Sequence, residues 1–401
     1  MATIAILGTL DTKGLEHAFL AEQIRKNHQT LLIDVGMMGA NGVEPDISRD
    51  QVAEAGGLDL EPLLKRQDRG ECVTAMAKAA SLLLSQLHRD GKIDGVISLG
   101  GGGGTAIATA AMRELPIGFP KLMVSTLASG NTAPYLGTKD ITMMPSVVDV
   151  AGLNRISRTI FARAAGAICG MVDSEISIGE DKPIIAASMF GNTTECVNAA
   201  VPLLEEAGYE VLVFHSTGAG GRAMEALIQS GMVAGVLDVT TTEWADELVG
   251  GVLSAGPERL QATAQAKVPS IVVPGCLDMV NFGTPDSVPP EFSGRTFYHH
   301  NPQVTLMRTN AEECARLGEI LAEKINTYRA PVTVLLPLRG VSVISAAGQP
   351  FHLPEADKAL FRALRSSLHP SVEVVEMDCL INDSEFAQAC ARALLSNQKK
   401  A

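Results

Sequence analysis

One order of elements occurs twice in this chain, and that repetition limits the fold more than any single motif does. Apolar "IAIL" (4–7) runs into the turn "GTLDTKG", then a helix-like segment through Lys26, then "TLLIDVG" (30–36), which makes one complete βαβ unit. Roughly 180 residues later "PIIAASMF" (183–190) runs into "GNTTE", a helix from about Cys196 to Glu206, and "YEVLVFHSTGAGG" (209–221). The sequel is shared too. "DGVISLGGGGGT" (94–105) corresponds to "AGVLDVTTTE" (234–243), and "KLMVSTLASGN" (121–131) to "SIVVPGCLDMVN" (270–281). Almost no side chains are common to the two halves, so the likeness is architectural.

The pattern predicts an α/β protein of two Rossmann-like domains with mainly parallel sheets, residues 1–180 and 181–401, joined near "IGEDKPI" (178–184). A chain of 401 residues exceeds the usual size of one core. Hydrophobic residues make up 46% with few aromatics, which suits aliphatic strands buried on both faces. After Ala330, "PVTVLLPLRGVSVIS", "SVEVVEMD" (371–378) and "DSEFAQACARALLS" (383–396) are expected to complete the second sheet, a return to the first being the alternative.

Several classes are disfavoured. The formal net charge is −13 without a Lys/Arg cluster, so no nucleic acid partner is expected. No apolar stretch is long enough for a bilayer, and no membrane partner is expected. "MATIAILGTLDTKG" reads as a first strand rather than a signal peptide. Seven cysteines without a C-x-x-C pair fit a reducing, cytoplasmic setting.

In such sheets ligands sit outside the carboxyl ends of the strands. In the first half those ends carry Gly8, Thr9, Asp11, Thr12 and Lys13, then Gly36, then Gly101, Gly102, Gly103, Gly104 and Thr105, then Ser125, Thr126, Gly130 and Asn131. The set suits a phosphate chain. Glycines admit close approach and positive φ, and a helix starting near Thr105, which Thr105 itself would cap, offers free amides and a positive dipole end. Lys13 would neutralise a phosphate and Asp11 would hold magnesium.

The run matches neither G-x-x-x-x-G-K-S/T nor G-x-G-x-x-G. Against the G-G-D-G-T loop of NAD kinases, Gly103 stands where the aspartate would, so binding is favoured over phosphotransfer. A tight turn would explain one glycine. Five cost about 0.5–1 kcal/mol each relative to Ala wherever the backbone does not require them, which favours an anion site.

The second half holds the residues that look catalytic: His215, Glu243, Asp278, His299 and Arg308, with Ser216, Thr217, Gly218, Gly220, Gly221, Asn281, His300 and Asn301 as substrate ligands. They offer a base near neutral pH, carboxylates and an arginine for an acidic group. "HSTGAGG" reads as a second anion loop. One histidine alone is more often structural, and His17, His28, His88, His352 and His369 are assigned that way. A Ser216/His/Asp278 triad lacks a G-x-S-x-G elbow. Metal ligation by His215, Asp278 and His299 or His300 matches no zinc spacing, and Cys276 fits a small buried residue better than a nucleophile.

"GTLDTKG", "SLGGGGGT", "STLASGNTAPYLGTKDI", "FHSTGAGGRAMEALI", "DVTTTEWADELVGG", "PGCLDMVNFG" and "YHHNPQVTLMRTN" together resemble the Tm-one-like ATP-binding domain family, from about residue 3 to about residue 395. The resemblance implies two Rossmann-like domains, ATP with magnesium (Mg2+) in the glycine-rich half, and a homo-oligomer. In the plant member a barrel domain resembling phosphoenolpyruvate hydrolases follows, so its chemistry is expected here to be either absent or supplied by a separate protein. Three readings follow: an ATP-using enzyme acting on a small acidic or sugar-like metabolite at the cleft between the domains, a slow or non-catalytic nucleotide-binding module that recruits a partner, or a metal-dependent hydrolase or lyase confined to the second domain.

Overall fold

The computed structural model describes residues 1–66, 68–175 and 181–401. The chain divides into two compact units, Met1–Ser177 and Ile178–Ala401. The expected join at 178–184 begins on residues outside those described.

In the first unit β1 (Thr3–Gly8), β2 (Gln29–Asp34), β3 (Gly95–Gly100), β4 (Lys121–Ser125) and β5 (Thr142–Pro145) form one parallel sheet in the order β2-β1-β3-β4-β5. The aliphatic runs are continuous because both faces are covered. Ala5, Leu7, Val96 and Met123 pack on one side with the helices Arg69–Arg89 and Gly102–Arg113. Their alternates Ile4, Ile6, Ile97, Leu122 and Val124 pack on the other with Leu10–Ile24 and Arg155–Asp173.

In the second unit β6 (Ile184–Met189), β7 (Glu210–His215), β8 (Val233–Thr240) and β9 (Ser270–Gly275) are followed by β10 (Met279–Phe282), β11 (Phe297–Asn301), β12 (Val304–Arg308), β13 (Val332–Pro337) and β14 (Glu373–Met377). Six of them make a parallel sheet in the order β14-β13-β9-β8-β6-β7, so the segments after Ala330 do complete it. The other three form an antiparallel ribbon, β10-β12-β11, inserted between β9 and β13. That ribbon is a correction: "YHHN" is an edge strand, not a strand-end loop.

Apart from the added β14, the two parallel sheets share one order. Counting strands within each, both read 2-1-3-4-5, and the crossover direction reverses between the first and third strands: β1 and β3, and β6 and β8. A crevice outside the carboxyl ends forms at such a reversal. Among the described residues no helix is long and apolar enough to cross a membrane.

Candidate functional site

At the first reversal β3 ends on Gly100, and the helix begins at Gly102 with an extended Gly101 as its cap. The expectation that the helix starts near Thr105 and is capped by it is corrected. Glycines 102–104 form the first turn, and Thr105, one turn in, is buried with Oγ1 2.7 Å from Ser125 Oγ. Gly101 makes no side-chain cap, so the first-turn amides keep the lack of partners inherent to a helix start. No glycine from 100 to 104 has positive φ, another departure from expectation.

Packing requires glycine at one of the five. A Cβ on Gly100 would come 3.1 Å from the backbone of Gly104. On Gly101, Gly103 and Gly104 it would make ordinary contacts at 3.6–3.8 Å, and on Gly102 it would meet nothing within 4 Å. Arg69 Nη2 lies 3.8 Å from the point a Gly103 Cβ would occupy, a cation the sequence did not single out. Thr126 donates its amide to Gly100 O. Ser125, Thr126 and Ser129 then line a cavity of about 470 Å³, closed by Val147 and Asp149 beyond β5. Val147 holds φ at 63° while Val148 donates its amide to Ser146 O at 2.7 Å, a strained three-residue turn on a β-branched side chain. Gly130 closes a local turn onto Leu127 O, and Asn131 Oδ1 accepts the Ala133 amide, so that carboxamide starts a helix rather than facing a ligand.

Around the β1 loop the expected ligands largely bind one another. Asp11 Oδ2 accepts the amides of Met37 and Met38 at 3.0 and 3.1 Å, and Oδ1 accepts the Thr12 hydroxyl. Gly36 is glycine because a Cβ would sit 2.7 Å from the Asp11 carboxylate, and Gly8 because one would strike the His17 ring. Thr9 O accepts the amides of Thr12 and Lys13, and the Lys13 ammonium donates to Val150 O. Asp34, which no motif in the sequence marks, is buried and accepts the amides of Leu10 and Gly36. Burial pushes its carboxyl pKa up against those bonds.

The second domain's glycine loop has a different cause. Gly218 needs φ of 77°, a Cβ on Gly220 would overlap His215 O at 1.8 Å, and one on Gly221 would overlap Glu243 Oε2 at 2.1 Å. Glu243 Oε1 accepts the amides of Gly218 and Gly221 at 2.7 and 3.1 Å. This helix start therefore already holds an anion, the chain's own. Glu243, Gly218, Gly220 and Gly221 are corrected from catalytic and substrate roles to structural ones.

That carboxylate belongs to a buried cluster absent from the expectation. Arg259, 1% exposed, donates to Asp238 through both Nη atoms at 2.7 Å, to Glu243 Oε2 at 2.8 Å and to Glu225 Oε1 at 3.1 Å. Asp238 in "VLDV" and Arg259 in "PERLQ" lie 21 residues apart, so no local spacing marks them as partners. Nearby, Ser216 donates to Thr240 O, Thr217 to His215 O, and Thr193 and Thr240 share a 2.7 Å hydroxyl contact across the second reversal.

Arg308 is likewise engaged, at Phe351 O (2.8 Å) and Asp357 Oδ1 (2.5 Å), which removes it as a substrate arginine. Asn281 donates to Asp246 Oδ2 at 2.7 Å, and Asp278 accepts from Ser342 at 2.7 Å with its other oxygen unpartnered among the described residues; all are buried. Burial raises Asp246 to about 7 and Asp278 to about 6, against the pull of Asn281 on the first and of Arg308 and Ser342 on the second. Both values exceed the unfolded one, so the folded domain binds more protons than the unfolded chain between the two, and stability present at low pH is lost as pH rises through about 6 to about 7. Urea midpoints should be higher at pH 5 than at pH 8, and Asp246→Asn should narrow the gap; equal wild-type midpoints would contradict it.

His215 alone of the expected catalytic groups is exposed at the end of a parallel strand, edge-on to Phe190 at 5.4 Å. His299, His300 and Asn301 lie exposed on the ribbon. Among the described residues, possible metal ligands gather at Cys379, Asp383 and Glu385; neither Asp11 nor the His215/Asp278/His299 set forms such a group.

Residues 2–177 match the N-terminal domain, and residues 182–397 the C-terminal domain, of the family described as "Uncharacterised protein family (UPF0261)". A UPF0261 protein of Clostridium tetani is 51% identical over 400 residues, covering 99% of each chain. The ToMV resistance protein Tm-1(GCR237) of Solanum lycopersicum is 40% identical over 418 residues, covering 98% of this chain and 55% of that protein. Among solved structures, UDP-N-acetylglucosamine 2-epimerase from Rickettsia bellii aligns at a TM-score of 0.23 and 13% identity, over 67% of this chain and 78% of its own.

Proposed function

The chain belongs to the UPF0261 family, and from that premise and the loop geometry we propose that its first domain binds a nucleotide through its phosphates, ATP with magnesium being the ligand to test. One observation carries the reading. Four glycines at the first reversal are required neither by φ nor by packing, and they open an uncapped helix N-terminus. Phosphate oxygens accept well from such amides and sit at the positive end of the helix dipole. The glycine-bearing helix start after β7 in the second domain supports the same logic, because an internal carboxylate fills it.

The surroundings fit a nucleotide. Arg69 stands beside Gly103, and the 470 Å³ cavity offers the hydroxyl-bearing Ser125, Thr126 and Ser129 next to the run. Magnesium keeps most of its shell as phosphate and water oxygens and needs few carboxylates. Asp149 lines the cavity, while Asp11 already accepts two amides.

The test is calorimetric titration with ATP and magnesium, paired with thermal melts. Saturable binding and a higher melting temperature are expected in the wild type, by about 2.7 kcal/mol of added stability at a hundredfold excess over Kd. Gly102→Val, at a position with open space, should fold normally and lose both effects, whereas His215→Ala should keep them. No melting shift at millimolar nucleotide would end the proposal.

A further inference from the structure

β13 ends at Pro337, and the chain beyond it builds a cavity of about 180 Å³ against the start of the helix Pro354–Ser367. The carboxyl end of a parallel strand is where such folds place their ligands. The amides of Leu338 and Arg339 donate to Met377 O and Cys379 O, so pairing with the β14 segment continues past the strand and fixes the backbone that carries Arg339. Ser345 O accepts His352 Nδ1 at 3.2 Å, which leaves Nε2 as the open nitrogen of an exposed ring. Lys358 joins the wall from the second turn of the helix.

The charges in this wall do not balance. Arg339 and Lys358 are exposed, and among the described residues neither is paired with an acid. Asp357, the one acid among the lining residues, already accepts from Arg308 Nη2 at 2.5 Å. Two positive charges therefore remain even with His352 neutral, and the helix start, which has no side-chain cap, adds to the same sign. The rest of the lining is apolar, including Phe361 and a Leu338 that is 40% exposed. We propose that this cavity binds a short aliphatic dicarboxylate, one carboxylate on Arg339 and the other on Lys358, with the carbon chain against Leu338 and Phe361. Two cations on separate elements match two anionic groups, and a carbon chain covers apolar lining that a compact phosphate would leave bare. The volume lies below the roughly 300–1,000 Å³ of sites for drug-sized ligands, which suits succinate and excludes a nucleotide.

The test uses the full chain carrying ring-labelled histidine, titrated at constant ionic strength with succinate, butyrate, succinamide and inorganic phosphate. The His352 resonance, identified by its loss in His352→Gln, reports binding. Succinate should shift it saturably, butyrate and phosphate should bind more weakly, and succinamide should leave it in place. Arg339→Gln and Lys358→Gln should melt with the wild type, because both side chains are exposed, and each should lose about tenfold or more in succinate affinity. Arg362→Gln removes an exposed cation of the same helix that does not line the cavity, and should bind succinate as the wild type does. The proposal is overturned if succinate gives no saturable shift, if butyrate, phosphate or succinamide binds as tightly, or if Arg362→Gln costs as much as Lys358→Gln, which would reduce the effect to general surface charge. The response of the first domain to ATP should be the same in Arg339→Gln as in the wild type, which separates this result from the fate of the nucleotide reading.

Discussion

Arg259→Leu should leave the second domain unable to fold at neutral pH. Among the described residues the guanidinium is the one cation bonded to Asp238, Glu225 and Glu243, all of them buried, and removing it strands three carboxylates away from water. Breaking one buried ion pair typically costs about 3–5 kcal/mol, a large share of the roughly 5–15 kcal/mol that holds a domain folded. Three acids left facing one another should cost at least as much. Circular dichroism and urea titration would measure it. Partial recovery on acidification is part of the expectation, because protonated carboxyls no longer repel or demand hydration. A variant that melts with the wild type at pH 7 would show that the cluster is not what secures this domain. Arg259→Lys should rescue poorly, since an ammonium cannot reproduce the two parallel bonds to Asp238 together with the bond to Glu243.

The second large effect is a contrast between two glycines that look alike in the sequence. Gly221→Ala would put a methyl 2.1 Å from Glu243 Oε2, and the carboxylate would have to leave the amides of Gly218 and Gly221 and its place against Arg259. A loss of about 3 kcal/mol or more is expected for disturbing a buried charge held by several bonds. Gly102→Ala meets nothing within 4 Å and sits at a helical φ, so it should stabilise the ligand-free protein by about 0.5–1 kcal/mol. It should also weaken nucleotide binding, since the methyl stands where the phosphates must approach. Paired melts with and without ATP would show the two signs. If Gly102→Ala destabilised the ligand-free chain, the glycine would have an internal reason, and the argument for a phosphate there would fail.

Much of the architecture is legible in the sequence. The repeated strand and helix order, the parallel sheets and the placement of the final strands all follow from aliphatic runs such as "IAIL" and "VISLG", which are too apolar for a strand with one wet face. The ribbon was not legible, because "FYHHN" and "VTLMR" are short and one of them is largely polar. The candidate site is legible only in part. The glycine run, Ser125 and Thr126 do stand together, whereas Asp11, Lys13 and Asn131 satisfy the backbone around them and Gly36 makes room for the Asp11 carboxylate.

The sequence by itself determined the fold class and the strand ends at which polar residues collect, because periodicity and burial are properties of consecutive residues. Only the tertiary structure decided which glycine loop is open. "GGGGGT" and "TGAGG" each announce a helix start with free amides, and nothing local separates them. The difference is a carboxylate that arrives from another loop, Glu243 on Gly218 and Gly221, held there by an arginine from a third segment. A helix terminus attracts any anion within reach, and whether that anion belongs to the chain or to a ligand depends on where distant side chains land.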